Sequence, residues 1–169
     1  MAIAKLRKDI NLFIDGKGYV GRVTEFDPPK LTVKTEEYRA GGMDAPLEID
    51  MGMEKLECML TLDDIDPDAL KLFGLVADGA SKQMTLRGGQ QGRDGTVEPL
   101  AHHLRGRVKE VDWGTWKTGE TSPCKLSVAL DYYKFEVDGA VIHEVDIENM
   151  KRVINGADQM EAMRRALGL

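Results

Sequence analysis

The chain has 169 residues, of which 42% are hydrophobic and 31% charged, and its 29 acidic side chains outnumber 23 basic ones to give a net charge of −6. This length predicts one domain, residues 1–169, whose core is large enough to be stable without disulfides. The acidic balance argues against a protein that grips nucleic acid or an anionic membrane, because such binding depends on clustered Lys and Arg.

The first predicted elements are strands. In NLFIDGKGYVGRVTEF, residues 11–26, two apolar runs flank an Asp-Gly turn at positions 15 and 16, which is typical of a β-hairpin. The prolines at positions 28 and 29 end the second run. KLTVKTEEYR, residues 30–39, alternates apolar and polar side chains and predicts a third strand.

The next segment, EEYRAGGMDAPLEIDMG at residues 36–52, is long for a strand connection. Such connections usually have about 4–6 residues, and longer ones tend to be functional or disordered. This one carries three glycines, a proline and two methionines among its acids. The residues alone leave two alternatives open: a contact segment, or a solvated loop whose methionines rest on their own subunit.

A strand and a helix are predicted next. KLECMLTL, residues 55–62, alternates again, with the even-numbered apolar residues inward and Glu57, Met59 and Thr61 outward. DPDALKLFGLVADG, residues 66–79, begins with Asp66 as a helix N-cap and Pro67 at the first helical position. Its apolar spacing predicts a helix of about three turns.

The second half of the chain predicts more strands and a terminal helix. QMTLRG is a short strand, GGQQGRDG a turn or exposed loop, and VEPLAHHLRGRVKEVDW a long strand. Residues 125–147 form a hairpin around an Asp-Gly turn at positions 138 and 139, and its inward set shifts from Leu130 to Tyr133, which predicts a bulge. GADQMEAMRRALGL predicts a short helix that begins with a capping box of Asp158 and Glu161 and ends at Gly168.

Three patterns suggest chemistry, and each has a structural explanation. Residues 16–23 match G-x-G-x-x-G-x-V of a kinase loop, but the H-R-D and D-F-G strings that a kinase needs are missing from the sequence. Asp64, Asp66 and Asp68 resemble the start of a calcium loop, but its later required Gly and Glu are replaced, so helix capping explains the acids. The adjacent His102 and His103 point to opposite faces of a strand and cannot share a metal.

The sequence therefore predicts no catalytic, cofactor-binding or metal-binding residue, and we expect a protein that is not an enzyme. Cys58 and Cys124 lie in apolar runs and are expected to be buried free thiols. The N-terminus lacks an apolar run of signal-peptide length, and no stretch is long and apolar enough to suggest stable membrane insertion. We expect the chain to remain in the cytoplasm where it is made, or to leave by a route other than secretion.

Several segments, in order from about residue 11 to residue 169, resemble the major tail tube protein of contractile-tailed phages and R-type pyocins. They are NLFIDG, PKLTVKTEEYRAGGMDAP, IDMGMEKLE, RGRVKEVDWGTWKTGE, YYKFEVDGAVIHEVDIEN and NGADQMEAMRRALGL. The resemblance implies a mainly β subunit of barrel or sandwich type, with one central helix and a short C-terminal helix. It also implies a fold similar to the type VI secretion tube, with hexameric rings that stack into a hollow tube.

The resemblance gives the long segment a role as an inter-ring loop at about residues 38–53. Glycine allows unusual backbone angles, proline stiffens the segment, and methionine makes adaptable contacts. The implied contact residues are Tyr38, Arg39, Gly41, Gly42, Met43, Asp44, Pro46, Met51 and Met53.

The polar faces of the strands are then candidates for the tube lumen. The residues expected there are Thr32, Lys34, Glu36, Glu57, Thr61, Ser127 and Asp131. An acidic lumen would repel DNA phosphates, and the alternative for each residue is an outer surface that faces the sheath. Arg164 and Arg165 are expected to face solvent, a sheath subunit or a neighbouring tube subunit.

The implied partners are other copies of the chain, the tail sheath protein, and tape-measure and baseplate proteins. DNA in a phage, or ions in a pyocin, would pass through the lumen without specific binding, and the protein would reside in the virion or pyocin particle. Two other function classes remain as alternatives: a small β-rich module that binds a ligand in its barrel mouth, and an enzyme that uses the glycine-rich loop.

Overall fold

The structure is a computed structural model that describes residues 4–74 and 81–169. Within these residues, twelve strands and two helices follow one another. They are β1 (Leu6–Ile14), β2 (Lys17–Gly18), β3 (Val23–Asp27), β4 (Val33–Tyr38), β5 (Leu47–Met53), β6 (Leu56–Leu62), α1 (Pro67–Leu70), β7 (Lys82–Gln91), β8 (Val97–Asp112), β9 (Cys124–Val137), β10 (Ala140–Asp146), β11 (Lys151–Ile154), β12 (Ala157–Asp158) and α2 (Glu161–Leu167).

Ten strands form one antiparallel sheet, whose main path runs β12-β11-β10-β9-β8-β7-β1-β2. The sheet branches at β9, because the first half of this strand pairs with β6 and its second half pairs with β10. Strand β3 continues the β6 branch. The mainly β fold expected from the sequence is therefore confirmed.

The core draws on seven of the strands, β1, β3 and β6–β10. The even-numbered apolar residues of β6 are buried, as the alternation of that segment predicts. The largest fully buried side chains are Leu12, Tyr19, Leu56, Leu60, Leu62, Met84, Leu104, Val108, Cys124, Leu126 and Val128.

The sheet remains open within the described residues, so the barrel suggested by the sequence is not closed in a single chain. The outer edge of β1 pairs with β2 only at Phe13 and Ile14. The predicted second arm of this hairpin is interrupted because the chain turns at residues 19–22, and β3 then pairs with β6 instead of β1. The gap between residues 6–11 of β1 and strand β3 is called the open seam below.

The bulge predicted in the middle of β9 is confirmed. Arg105 of β8 pairs with Tyr132, but the next residue, Gly106, pairs with Leu130, so Asp131 is the extra residue. The buried side chains of β9 accordingly change from even to odd numbers at this point. On β7, in contrast, pairing continues to Gln91, so the glycine-rich stretch predicted as a loop is half strand.

The predicted three-turn helix is wrong in length. Helix α1 ends at Leu70, and Phe73 then forms an isolated parallel bridge with Val108. The Gly74 amide donates to the Val108 carbonyl oxygen at 3.0 Å, so pairing with β8 replaces the helical hydrogen bonds. The rest of the predicted helix, residues 75–79, lies outside the described residues.

The predicted N-cap, Asp66, is confirmed and is also the centre of an ion cluster. Its carboxylate accepts from the Asp68 amide at 2.8 Å and from Arg22 Nη1 at 2.6 Å, while Lys17 Nζ lies 3.5 Å away. Burial raises the pKa of Asp66, but the backbone hydrogen bonds and the positive charge of Lys17 outweigh it and leave the pKa lowered. Capping and charge pairing thus explain the acids that resemble a calcium loop.

The C-terminal helix is confirmed, with Gly168 in the left-handed conformation at its end. The predicted capping box is wrong, because Asp158 accepts from the Met160 amide while Glu161 pairs with Arg165. Arg164 donates to the Met150 carbonyl oxygen and to Asp158 at 2.7 and 2.6 Å, and the Arg164 hydrogen bond lowers the pKa of Asp158 to about 2. Arg164 therefore holds the helix to its own subunit.

Candidate assembly surfaces

The segment predicted as a long loop is a projecting β-hairpin. Strands β4 and β5 form a separate two-stranded sheet in which Tyr38 pairs with Leu47 and Glu36 with Ile49. The irregular connection is limited to residues 39–46. The loop prediction for residues 47–53 was wrong because alternation at Leu47, Ile49 and Met51, which indicates a strand, was overlooked among the glycines and acids.

The two faces of the hairpin differ in chemistry. Residues that pair across an antiparallel ribbon share a face, and successive residues alternate between faces. One face carries Tyr38, Leu47 and Ile49, which are 54%, 60% and 47% exposed, and Met51 continues it. We call these four residues the apolar hairpin face. The opposite face carries Glu37 and Glu48, which pair with each other. Glu36, which pairs with Ile49, lies among the apolar residues on their face. A cluster of exposed apolar side chains of this kind indicates a site of association.

The tip of the hairpin is an ordered turn. The Met43 amide donates to the Ala40 carbonyl oxygen at 3.2 Å, and Arg39 Nε donates to the Met43 carbonyl oxygen at the same distance. Gly42 has a φ of +87°, an angle that favours glycine. Asp44 and Pro46 complete the exposed connection to β5. Most of the residues predicted as inter-ring contacts thus lie on or beside the tip.

The base of the hairpin is anchored to the subunit. Arg152 Nη2 donates to Asp50 Oδ2 at 2.7 Å, and this bond, followed by one from the Gly52 amide, lowers the pKa of Asp50. The Glu54 amide donates to the Thr32 carbonyl oxygen at 2.9 Å. Met53, unlike the other predicted contact residues, packs partly against the core. The anchored base and exposed tip make the hairpin an arm.

The residues predicted for the lumen are not all in one place. Lys34 and Glu36 lie on the hairpin, whereas Thr32, Glu57 and Ser127 line a common groove of about 390 Å³. Thr61 is only 5% exposed and offers little surface. Asp131, at the bulge, accepts from Arg105 Nε at 3.1 Å and from the Ser81 hydroxyl.

One acid on this groove, Glu57, forms ion pairs with two neighbouring lysines. Lys109 and Lys55 both donate to Glu57, and their hydrogen bonds lower the pKa of this carboxyl group. Arg105 forms an ion pair with Asp131 at the bulge. The groove therefore presents a mixture of charges: Glu57 is paired, whereas Asp27 and Glu54 are in no ion pair within the described residues.

The open seam leads into a cavity of about 920 Å³. Five strands contribute its walls, and the apolar part of the lining consists of Ile10, Phe26, Leu86, Leu100, Phe135 and Val137. Sequence reasoning missed this cavity, because it depends on β3 leaving β1 to pair with β6. An apolar cavity beside two unpaired strand edges is the second candidate assembly surface.

His102 lies at the wall of this cavity, inside an aromatic cluster. Its ring stacks on Phe135 at 4.5 Å between centroids and meets the edge of Phe26 at 5.2 Å. His102 Nδ1 lies 3.0 Å from the Tyr133 hydroxyl. His103 projects from the other face, 3.2 Å from Glu136. The predicted opposite orientation of the two histidines is therefore confirmed.

Acidification is expected to destabilise the subunit through His102. Burial, followed by the nearby positive charge of Arg7, lowers the pKa of His102 from 6.5 to about 4. The unfolded chain therefore binds this proton first, so stability is full above pH 6.5 and falls as the pH drops toward 4, by roughly 3 kcal/mol in total. Urea denaturation between these pH values measures the slope.

The variant that tests this is His102→Phe, which keeps an aromatic ring but cannot titrate. It is expected to reduce the slope between pH 6.5 and 4. An unchanged slope in His102→Phe would show that other groups carry the pH dependence.

Other sites suggested by the sequence have structural explanations. Gly16 lies in a turn with a φ of +84°, and Gly18 in the short strand β2, as a hairpin requires. Cys58 and Cys124 are buried free thiols, and burial raises the pKa of Cys58 to about 12. Across residues 4–74 and 81–169, no three His, Cys, Asp or Glu side chains are grouped to hold a metal, and neither helix could cross a bilayer.

Comparison with known proteins completes the description. Residues 5–168 match the family described as phage tail tube protein FII. The tail tube protein of Escherichia phage P2 is 35% identical over 100% of both chains. The major tail tube protein of Serratia phage KSP20 is 30% identical over 88% of this chain and 86% of its own length. A chain of the anti-feeding prophage baseplate, determined by cryo-EM, shares the fold with a TM-score of 0.52 at 11% identity, covering 78% of this chain and 93% of its own.

Proposed function

The chain belongs to the phage tail tube protein FII family, whose members are structural proteins of the virion, and from this premise we propose that it builds the inner tube of a contractile tail. In this proposal six copies form a ring, and rings stack into a hollow tube. Contraction of a surrounding sheath drives the tube through the target envelope, and DNA, or ions in a pyocin-like particle, pass along the lumen.

The observation that carries the proposal is the projecting hairpin with its apolar face. An isolated subunit gains nothing from holding Tyr38, Leu47 and Ile49 in water at the end of an anchored arm. In stacked copies the same side chains are buried against a neighbouring subunit. The contact residues at the tip, from Tyr38 to Pro46, then bridge one ring to the next, and the arm sets the direction of growth.

The unpaired strand edges support the same proposal. An exposed edge is a template for pairing with another chain, and closure removes it. The partners that follow are other copies of this chain, then the sheath, tape-measure and baseplate proteins. The groove that holds Thr32, Glu57 and Ser127 is the proposed lumen lining, and its mixed charges, three acids against two lysines, offer DNA phosphates little attraction.

A ligand-binding module is the second candidate function, and the seam cavity is the observation that favours it. The cavity opens along strand edges with unused backbone hydrogen-bonding groups, which suits an extended chain better than a small molecule.

The test is assembly of the purified full-length chain at increasing concentration, alone and with isolated tail initiators. Negative-stain microscopy is expected to show rings and then tubes of one width, and native mass spectrometry to show six copies in a ring. A chain that stays monomeric at high concentration and does not extend the initiators contradicts the proposal.

A further inference from the structure

Two surfaces of this subunit have unpaired strand edges within the described residues. The open seam lacks a strand, and the hairpin strand β5 lacks a neighbour on its outer edge. We infer that the open seam of one copy receives strand β5 of a second copy, with the apolar hairpin face inserted into the seam cavity. This inference rests on the proposed assembly into a tube and names the acceptor of the arm.

Backbone pairing is the first argument. The outer edge of β1 is unpaired along residues 6–11 within the described structure, and there the Ile10 amide donates to its neighbour Asp9 Oδ1 at 2.8 Å instead of to a strand. Strand β5 is bonded to β4 on one side alone among the described residues. Two free edges of this kind join by strand addition, in which main-chain hydrogen bonds supply affinity.

Side-chain alternation is the second argument. A strand added beside β1 directs every second residue into the cavity. In β5 these are Leu47, Ile49 and Met51, whereas the alternate residues Glu48 and Asp50 point away. The cavity wall that receives them is apolar and includes Leu86, Leu100 and Phe135. The polarity of strand and cavity therefore agree in register.

Charge is the third argument. The cavity is bordered by Arg7 and by Glu25 and Asp27, and the hairpin carries Glu36 and Lys34 on the same side as its apolar residues. None of these five side chains has an ion-pair partner within residues 4–74 and 81–169. Arg7 lies on one side of the seam, where it can meet Glu36 of the arm. Glu25 and Asp27 lie on the other side, where they can meet Lys34, and this favours docking in one orientation.

The arm of the same subunit does not occupy its own seam. Arg152 of β11 holds Asp50 at 2.7 Å, and β11 lies on the far side of β9 from β1 in the order of the sheet. The apolar hairpin face therefore points to a different copy.

Disulfide crosslinking tests the inference in assembled tubes. Ile49→Cys combined with Leu100→Cys is expected to form intermolecular disulfides on mild oxidation, seen as ladders on a denaturing gel. The control is Glu48→Cys with Leu100→Cys, because Glu48 lies on the opposite face of the ribbon, and at least tenfold less crosslinking is expected. The native thiols of Cys58 and Cys124 are buried and do not interfere.

Tubes are first confirmed by microscopy, so that failure of the proposed assembly is recognised separately. If tubes form and the Ile49 pair does not crosslink, or if both pairs crosslink equally, the seam is not the acceptor. Stabilisation by small apolar compounds without effect on tube growth would instead assign the cavity to a ligand.

Hydrogen exchange on the wild-type chain provides a second measurement, which needs no variant. On assembly, amides of residues 6–11 and of strand β5 are expected to exchange at least about tenfold more slowly, while the surface turn at residues 92–96 stays unchanged. Equal exchange before and after tube formation overturns the inference even if the cysteine variants do not assemble.

Discussion

Replacing Leu47 and Ile49 together with Asp is expected to abolish tube formation while the subunit stays folded. Each side chain contributes about 1.5–3 kcal/mol when it leaves water, so losing both raises the concentration needed for assembly by about 100-fold or more. Both side chains are largely exposed in the isolated subunit, so folding stability is expected to change by less than about 1 kcal/mol. Sedimentation of assembled material and thermal denaturation of the monomer measure the two effects.

The control for this variant lies on the other face of the same ribbon. Glu37→Gln combined with Glu48→Gln alters two residues that pair with each other opposite the apolar hairpin face. This pair is expected to assemble within a few-fold of the wild-type concentration. Tubes of the double Asp variant at the wild-type concentration would show that the apolar hairpin face is not the contact that holds the assembly.

Gly106→Ala is expected to cause the largest loss of folding stability among single methyl additions in the sheet. A Cβ at this position would lie 2.2 Å from the Ala129 carbonyl oxygen and 3.0 Å from Leu130 Cα, well inside contact distance. Neither obstacle is a flexible side chain, so β8 must separate from β9 beside the bulge. The expected cost is about 3 kcal/mol or more in the free energy of unfolding.

Gly89→Ala on β7 is the matched control for Gly106. Its added methyl group would meet the Val97 side chain at 3.6 Å, an ordinary van der Waals distance. We expect a change within about 1 kcal/mol, with some compensation from the lower flexibility of the unfolded chain. Urea denaturation measures the free energy of unfolding of both variants. Equal values would contradict the prediction and mean that β8 and β9 can separate near the bulge at little cost.

Features that depend on neighbours in sequence could be predicted. The Asp-Gly turn between β9 and β10 has φ angles of 49° and 78° at Asp138 and Gly139, as a tight hairpin turn demands. The bulge at Asp131 was visible in the change of alternation. The helix N-cap Asp66 and the helix end Gly168 could also be predicted from the sequence, because a cap involves only a few adjacent residues.

Features that depend on distant partners could not be predicted. Helix α1 stops early because the Gly74 amide bonds to the carbonyl oxygen of Val108, which lies 34 residues further along the chain. The open seam exists because β3 pairs with β6, and no local pattern reveals that choice. On the arm, the position was predicted, but Leu47 and Ile49 were omitted because the segment was interpreted as a loop.

The Asp9 carboxylate is expected to affect the rate at which copies join, because it lies at the edge of β1. It occupies the Ile10 amide that an incoming strand must use, so two free subunits that collide meet an edge already satisfied. A growing end offers several contacts simultaneously and can displace the carboxylate at small relative cost. Addition to a growing end is therefore expected to be faster than the first association of two free subunits, and assembly to begin after a lag.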